Sequence, residues 1–292
     1  MTEHPLISIC IPVYNGEKYV AETINSVQAQ TYDNIEILIQ DNASTDNTGE
    51  ILQALADQDM RIKVARNDEN CGMAGNWNLA VNRAQGDYVM LLSADDLLMP
   101  DFLSEGLSTF EMDKVDAVVT NHLFIKSGEL SPRKNLTKPG IYQHHSSTIL
   151  LHNPFSVNFT LFRRALIEEL KVNGELFRSF MTCDYDLCIR LSLTDAKITY
   201  CHTPLGIYRV HDSNLSKQAR KMLRQTVLVV CSHKRALMKS CRLAYLITLF
   251  RFLLRTLMLW LRSGSLDSRL MTILRLEIFR NLTGYTNQTR KK

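Results

Sequence analysis

Short, dense apolar runs alternate with amphipathic stretches from the start of the chain. Residues 6–13 (Leu-Ile-Ser-Ile-Cys-Ile-Pro-Val) read as a fully buried strand that stops at the turn Tyr14-Asn15-Gly16. Tyr19, Val20, Ile24 and Val27 then share one face of a helix running to about Gln30. Ile35–Ile39 is the second strand, and it leads into Asp41-Asn-Ala-Ser-Thr-Asp46, a cluster suited to capping the helix of Ile51, Leu52 and Leu55. Arg61–Ala65 is a third strand, Ala74–Ala84 a third helix, and Tyr88–Ala94 a fourth strand. Strands alternating with helices predict a doubly wound α/β fold with a mostly parallel sheet. Right-handed crossovers then bring Tyr14-Asn15, Asp41–Asp46 and Asp95-Asp96 to one sheet edge.

Later segments are less regular. Ala117–Thr120 reads as a strand, 125–148 as a loop or small hairpin, and Leu161–Leu170 and Asp184–Leu193 as helices. Ile198–Cys201 and Leu205–Val210 read as two further short strands, and no internal repeat is present.

Asp95 and Asp96 are the most informative residues at that edge, where open α/β sheets bind their ligands. Adjacent carboxylates repel unless a cation or a donor-rich group stands between them. Hard oxygen ligands suit Mg2+ or Mn2+, which take one or two carboxylates together with substrate phosphates. The pair read alone is equally compatible with a turn capping the helix after Pro100. The first loop has a single glycine, Gly16, and neither GxGxxG nor a Walker A sequence occurs, so a carboxylate-held cation is the candidate means of meeting phosphates. Tyr14 could carry a ring or base, or simply pack at its turn, and Asp41 could accept from an imide N–H.

Composition narrows the class. The 292 residues are 45% hydrophobic and 22% charged, an ordinary globular balance. Seven scattered cysteines without a CxxC point to thiols in a reducing compartment, and the N-terminus lacks the pattern of a secretory signal, so a cytoplasmic location is expected. The net charge of +4 conceals a division: residues 217–292 carry 17 Lys and Arg against two acids, and residues 1–216 carry 17 against 28.

Ser8-Ile-Cys-Ile-Pro-Val-Tyr-Asn15, Gln30-Thr31-Tyr32, Asp41–Asp46, Gly86-Asp-Tyr88 and Leu92-Ser-Ala-Asp-Asp96 follow one another in an order and spacing that resemble the inverting family 2 glycosyltransferases, of the kind that build bacterial cell-surface polysaccharides. That resemblance implies a GT-A catalytic domain over 1–216, with a nucleotide-sugar half to about 115 and an acceptor half from 116, and the charge division adds a basic helical extension over 217–292. It implies donor-binding roles for Pro12, Tyr14, Asn15, Asp41, Ser44 and Asp95, and a Mg2+ or Mn2+ held by Asp95 and Asp96. Ser93 stands where the family motif opens with Asp, and Asn42-Ala43 where Asp-Gly is common.

Met181-Thr-Cys-Asp184-Tyr-Asp-Leu187 resembles the family segment that supplies the catalytic base, with Cys183 in place of a Glu and Asp184 at the base position. Asp186 is the reserve, and either acid could instead serve the helix N-terminus. Tyr208–Ser216 resembles the segment that closes over the donor, with Arg209 and His211 facing the leaving group. The implied activity moves a sugar from a nucleotide donor to a hydroxyl of a glycan or lipid-linked acceptor. UDP is favoured by resemblance alone, with GDP and dTDP open. The rivals are a non-catalytic nucleotide-sugar-binding or scaffold protein with a decayed site, and a nucleotidyltransferase, which the glycine-poor first loop disfavours.

Residues 242–262 are long enough to span a bilayer, but Arg251 and Arg255 sit near the middle. With Arg262 they fall within about 40° on a helical wheel, against a wide Leu/Phe/Trp face. A helix lying peripherally in the cytoplasmic membrane surface fits this pattern, and residues 269–280 repeat it with Arg269, Arg275 and Arg280. Packing on the catalytic domain or forming a homodimer are the alternatives. Nucleic acid is not an expected partner, since no binding signature occurs.

Overall fold

A computed structural model describes residues 4–133, 138–143, 145–153, 155–178, 181–212, 218–263, 270–274 and 277–278. Expectations for Ser213–Ser216, for the break at Gly264-Ser265, and for Arg269, Arg275 and Arg280 lie outside these residues, as does the side chain of Arg262.

The first half is built as its apolar pattern predicts. β1 (Ile7–Val13), α1 (Val20–Gln28), β2 (Ile35–Asp41), α2 (Thr48–Ala56), β3 (Ile62–Arg66), α3 (Gly72–Asn82) and β4 (Tyr88–Leu91) follow in turn. Every residue of β1 and β2 is buried, because helices cover both faces of the sheet. Ile7, Ile9, Ile11 and Val13 pack to one face with α1 and α2, while Cys10 packs to the other, as a period of two requires. The remaining elements are β5 (Leu97–Leu98), α4 (Phe102–Asp113), β6 (Ala117–Lys126), β7 (Glu129–Pro132), β8 (Gly140–Tyr142), α5 (Ser146–His152), β9 (Thr160–Arg163), α6 (Arg164–Leu170), α7 (Cys183–Ser192), β10 (Ile198–Arg209), α8 (Ala219–Ser232) and α9 (Lys234–Ser263).

The sheet runs β3-β2-β1-β4-β9-β6-β10-β5, with β7 on β6 and β8 on β10. β1, β2, β3 and β4 pair in parallel, as do β6 and β10. The chain moves outward from β1 to β3 and returns beside β1 as β4, so the topological switch point lies between β1 and β4. A crevice opens there at the strands' C-terminal ends.

Two expectations are corrected. Leu161–Leu170 is not one helix: Thr160–Arg163 is β9, antiparallel to both β4 and β6, and the helix begins only at Arg164. A short apolar run carries no decisive period, and the open slot between two strands settled it. Ile198–Arg209 is a single strand, with register shifts between Cys201 and Gly206 where two strands were expected.

Several sequence motifs prove to be fasteners. Gln30 donates to the carbonyl of Met99 at 2.8 Å and Thr31 N–H donates to that of Pro100 at 2.9 Å, tying the end of α1 to the chain just after Asp95-Asp96. Gly86 passes so close to β1 that an added Cβ would sit 2.6 Å from the Leu6 carbonyl and 2.8 Å from the Ser8 nitrogen. Backbone atoms cannot yield as a side chain can, so only glycine fits. Ala43, by contrast, has a φ of 58° in a turn that suits glycine.

The basic extension is part of the core. Leu223, Val227 and Val230 of α8 and Tyr245, Leu249 and Phe252 of α9 join the cluster that contains α3, α5, α6 and α7. Beneath them Asp186 is fully buried and accepts from Arg178 Nε at 2.9 Å and Arg190 Nε at 2.9 Å, with His233 Nε2 2.8 Å away. Burial alone would raise its carboxyl, but the His233, Arg178 and Arg190 donors outweigh that and hold it well below the usual range. Asp186 therefore joins α7 to the α8–α9 junction and leaves no oxygen for a base role.

Two stability effects follow. Asp186→Ala leaves Arg178 and Arg190 without their buried counter-charge and is expected to cost about 3–5 kcal/mol in urea unfolding. Because the folded-state value is depressed, the deficit against wild type should be full above the ordinary Asp range and shrink as pH falls below it. Ala43→Gly should relieve the left-handed backbone at some entropic cost, a net gain of about 0.5 kcal/mol. A lower urea midpoint for that variant would contradict the assignment.

Candidate active site

Loops one and two are sewn together before either meets a ligand. Asn15, at a φ of 50°, turns its N–H to Ser44 Oγ at 2.9 Å, while its side-chain oxygen accepts from Thr45 N–H at 2.8 Å. Gly16 N–H donates to Thr48 Oγ1 at 2.8 Å. Ser44 in turn donates to Asp41, whose other oxygen accepts from Arg66 at 2.6 Å. Asp41 is almost fully buried by these partners, so it braces the second loop, and the neighbouring Asn42 is the residue that lines the crevice. Tyr14 is 51% exposed, which leaves its ring uncovered at the mouth.

The fourth loop separates two adjacent carboxylates into different environments. Asp96 turns inward: its oxygens accept the Arg209 N–H at 3.0 Å and the Asn158 amide at 2.8 Å. Burial first, and then the charge of Asp95, push its carboxyl well above the normal value. Asp95 faces the crevice, with His211 Nε2 2.9 Å from its Oδ2. Arg209 reaches across the turn, donating to the Asp95 carbonyl at 2.9 Å and to Glu22 at 2.6 Å, with its guanidinium 4.6 Å from the centre of the Tyr19 ring. Tyr19 also stacks on His211, at 5.0 Å between ring centres. Tyr19 thus belongs to the site and not to the buried face of α1 on which its spacing placed it.

Two cavities adjoin along this edge. The larger, about 810 Å3, is lined by Pro12, Tyr14, Asn15, Asn42, Asp46 and Asp95, among others. The second, about 310 Å3, contains Asn158, Met181, Asp184, Tyr208 and, from α8, Met222. Met73, Trp77, Ser93, Asp95 and His211 line both. Asp184, in the first turn of α7, is open to the solvent of the cavity, yet protein surrounds it on most sides, and this desolvation raises its carboxyl.

Most of the expected residues are brought together, with different duties: Tyr14, Asn15, Asp95, Asp184 and His211 face the cavities, while Asp41, Ser44, Asp96 and Arg209 hold the framework. Lys18, Trp77, Asn158 and the loop after β3 went unnoticed. That loop contributes Asn70 and Met73, and its Asn67 bridges Asn42 at 2.9 Å and Asn76 at 3.0 Å. The crossover rule that gathered the other three loops applies equally to β3 and would have found it.

A family model described as "Glycosyl transferase family 2" matches residues 8–170. A Campylobacter jejuni protein named GalNAc(5)-diNAcBac-PP-undecaprenol beta-1,3-glucosyltransferase is 30% identical over 214 residues, 70% of this chain and 65% of that protein. Among solved structures, S. aureus TarS 1–349 in complex with UDP-GlcNAc superposes with a TM-score of 0.64 at 17% identity, covering 97% of this chain and 93% of that one. A mannosyltransferase from Pyrobaculum calidifontis, in complex with GDP-Man and Mn2+, does so with a TM-score of 0.61 at 16% identity, covering 98% and 89%. The mostly parallel sheet, the crevice at its switch point and the family match over more than half of the chain agree: this chain belongs to glycosyl transferase family 2 and is a glycosyltransferase of the GT-A fold.

Proposed function

We propose that the protein transfers a sugar, with inversion, from a nucleoside-diphosphate donor to a hydroxyl of a lipid-linked or glycan acceptor in bacterial cell-surface polysaccharide synthesis. The observation that carries this reading is the meeting of the two cavities at Asp95 and His211, with Asp184 in the second. The larger cavity has room for a nucleotide beside Tyr14 and Asn42, and the junction would hold the diphosphate and the anomeric carbon. Trp77 at the junction offers an apolar ring for a sugar face. The UDP-GlcNAc bound by TarS and the GDP-Man bound by the archaeal mannosyltransferase both support a nucleoside-diphosphate sugar as donor, UDP being favoured by the sequence resemblance. The lipid-diphosphate saccharide in the name of the Campylobacter relative supports a lipid-linked acceptor. Such an acceptor gives the membrane surface expected as a partner of residues 242–280 its place in the same reading.

The donor set fits Mg2+ or Mn2+. Asp95 offers an accessible carboxylate and His211 an imidazole beside it, the Mn2+ of the archaeal mannosyltransferase supports the choice of ion, and Asp96 is already satisfied within the protein. Among the described residues no group of three or more His, Cys, Asp or Glu is gathered, so diphosphate and water oxygens would complete the shell. When bound, the ion supplies positive charge against the departing diphosphate.

Asp184 takes the proton from the acceptor hydroxyl as that oxygen attacks the anomeric carbon and the diphosphate leaves. Its raised pKa suits it to the task, because a base is most effective when its pKa lies nearer the working pH. Asp184→Asn should therefore lower kcat by at least about a hundredfold while nucleotide binding persists. The base must be ionised, so wild-type kcat/KM should fall as pH drops through the raised value, at higher pH than an ordinary Asp would dictate. Near-normal transfer by the Asn variant would reject the assignment.

Thermal unfolding tests the donor site without turnover. A UDP-sugar with Mn2+ at about a hundred times Kd should raise Tm by roughly 5 °C or more. Asp95→Ala or His211→Ala should abolish the part of that shift that depends on Mn2+. An Mn2+ increment that survives both substitutions would place the ion elsewhere.

A further inference from the structure

α9 has two apolar faces, and among the described residues only one of them is covered. Tyr245, Thr248, Leu249 and Phe252 are buried against the catalytic body, with Thr248 donating to the Leu150 carbonyl at 3.2 Å and Arg251 to that of Leu151 at 3.0 Å. These bonds attach the middle of α9 to the end of α5, a few residues before the Phe155–Asn158 wall of the second cavity. On the outer side, Leu243, Ile247, Phe250, Leu254, Met258 and Leu261 are between 38% and 75% exposed. At 3.6 residues per turn they occupy a sector of about 80°, a stripe about 27 Å long.

The borders of the stripe bear on what covers it. Arg251 and Arg255 lie along one edge and Arg242 lies on the opposite flank, about 80° beyond the other edge and just after the kink at Cys241, all exposed. From Lys234 to Ser263 there are seven Lys and Arg and no acid. A second copy laid face to face would set arginines against arginines with no carboxylate in the helix to separate them. Among the described residues no helix is long and apolar enough to cross a membrane. An apolar stripe with cationic edges instead matches a surface that is apolar below and negatively charged around its rim, which is the interface of an anionic bilayer.

We propose that α9 lies flat on an anionic bilayer surface through this stripe, with Arg242, Arg251 and Arg255 among the headgroups. The second cavity, which α8 lines with Met222 and the α5 end supports, is then carried at the membrane surface. The proposal concerns the surface alone and stands whether or not the transfer reading holds.

The test is flotation of the full chain with phosphatidylcholine vesicles containing about one third phosphatidylglycerol, compared with pure phosphatidylcholine. Wild type should float with the anionic vesicles and lose binding as salt rises. Ile247→Glu/Phe250→Glu/Leu254→Glu alters exposed side chains alone, and unchanged urea unfolding would show that it folds. Its vesicle binding should fall at least tenfold, and Arg242→Glu/Arg255→Glu should reduce the preference for anionic vesicles. The proposal is overturned if wild type stays with neither vesicle, or if the triple variant floats as wild type does. It is equally overturned if light scattering shows the triple variant converting a dimer to a monomer without changing vesicle binding. Acceptor-independent hydrolysis of a UDP-sugar, measured on the same variants, should be unaffected; its absence from wild type would bear on the transferase reading and leave the flotation result intact.

Discussion

Two adjacent carboxylates at the end of a buried strand cannot share one environment, and the site is organised around that constraint. Asp96 is drawn inward, where the Arg209 N–H and the Asn158 amide satisfy it, and Asp95 is left facing the crevice. The separation needs parts from distant regions of the chain: β10 delivers Arg209 and His211, the turn before β9 delivers Asn158, and α1 anchors Arg209 through Glu22. Near-parallel stacking of Tyr19 on His211 then orients the imidazole beside Asp95. Were the turn less firmly held, repulsion would push both acids toward solvent, and the division between an inward and an outward carboxylate would be lost.

A second charge cluster does similar work beneath the second cavity. Asp186 gathers Arg178, Arg190 and His233, joining α7 to the junction of α8 and α9. Because Asp184 lies in the first turn of the same helix, the extension braces the element that presents the candidate base. The basic C-terminal helices are therefore structural neighbours of the second cavity, with Met222 in its wall and Arg251 bonded to the end of α5. Their charge marks the outer surface of a packed layer.

Much of this was legible from pattern. β1 and β2 announce themselves by unbroken apolar runs, and the right-handed crossover places their C-terminal loops together whatever their sequences. Asp184, Asp95 and His211 were singled out because their neighbours form recognisable segments. Less legible were residues whose role depends on a partner far along the chain. Tyr19 has helical spacing and a buried neighbour at Val20, yet its ring finds Arg209 and His211. Asn158 lies in an irregular stretch and is known only by the oxygen it meets.

Local order along the chain was enough to establish the alternating elements, the edge at which their loops gather, and the division between an acidic body and a basic end. Those properties rest on periodicity, handedness and composition, each of which a linear string carries. Which acid turns inward, which strand fills the gap beside β4, and which face of α9 is covered depended on contacts between segments as many as 113 residues apart. Burial and hydrogen-bond partnership are properties of the assembled molecule, and they arise only when the layers close on one another.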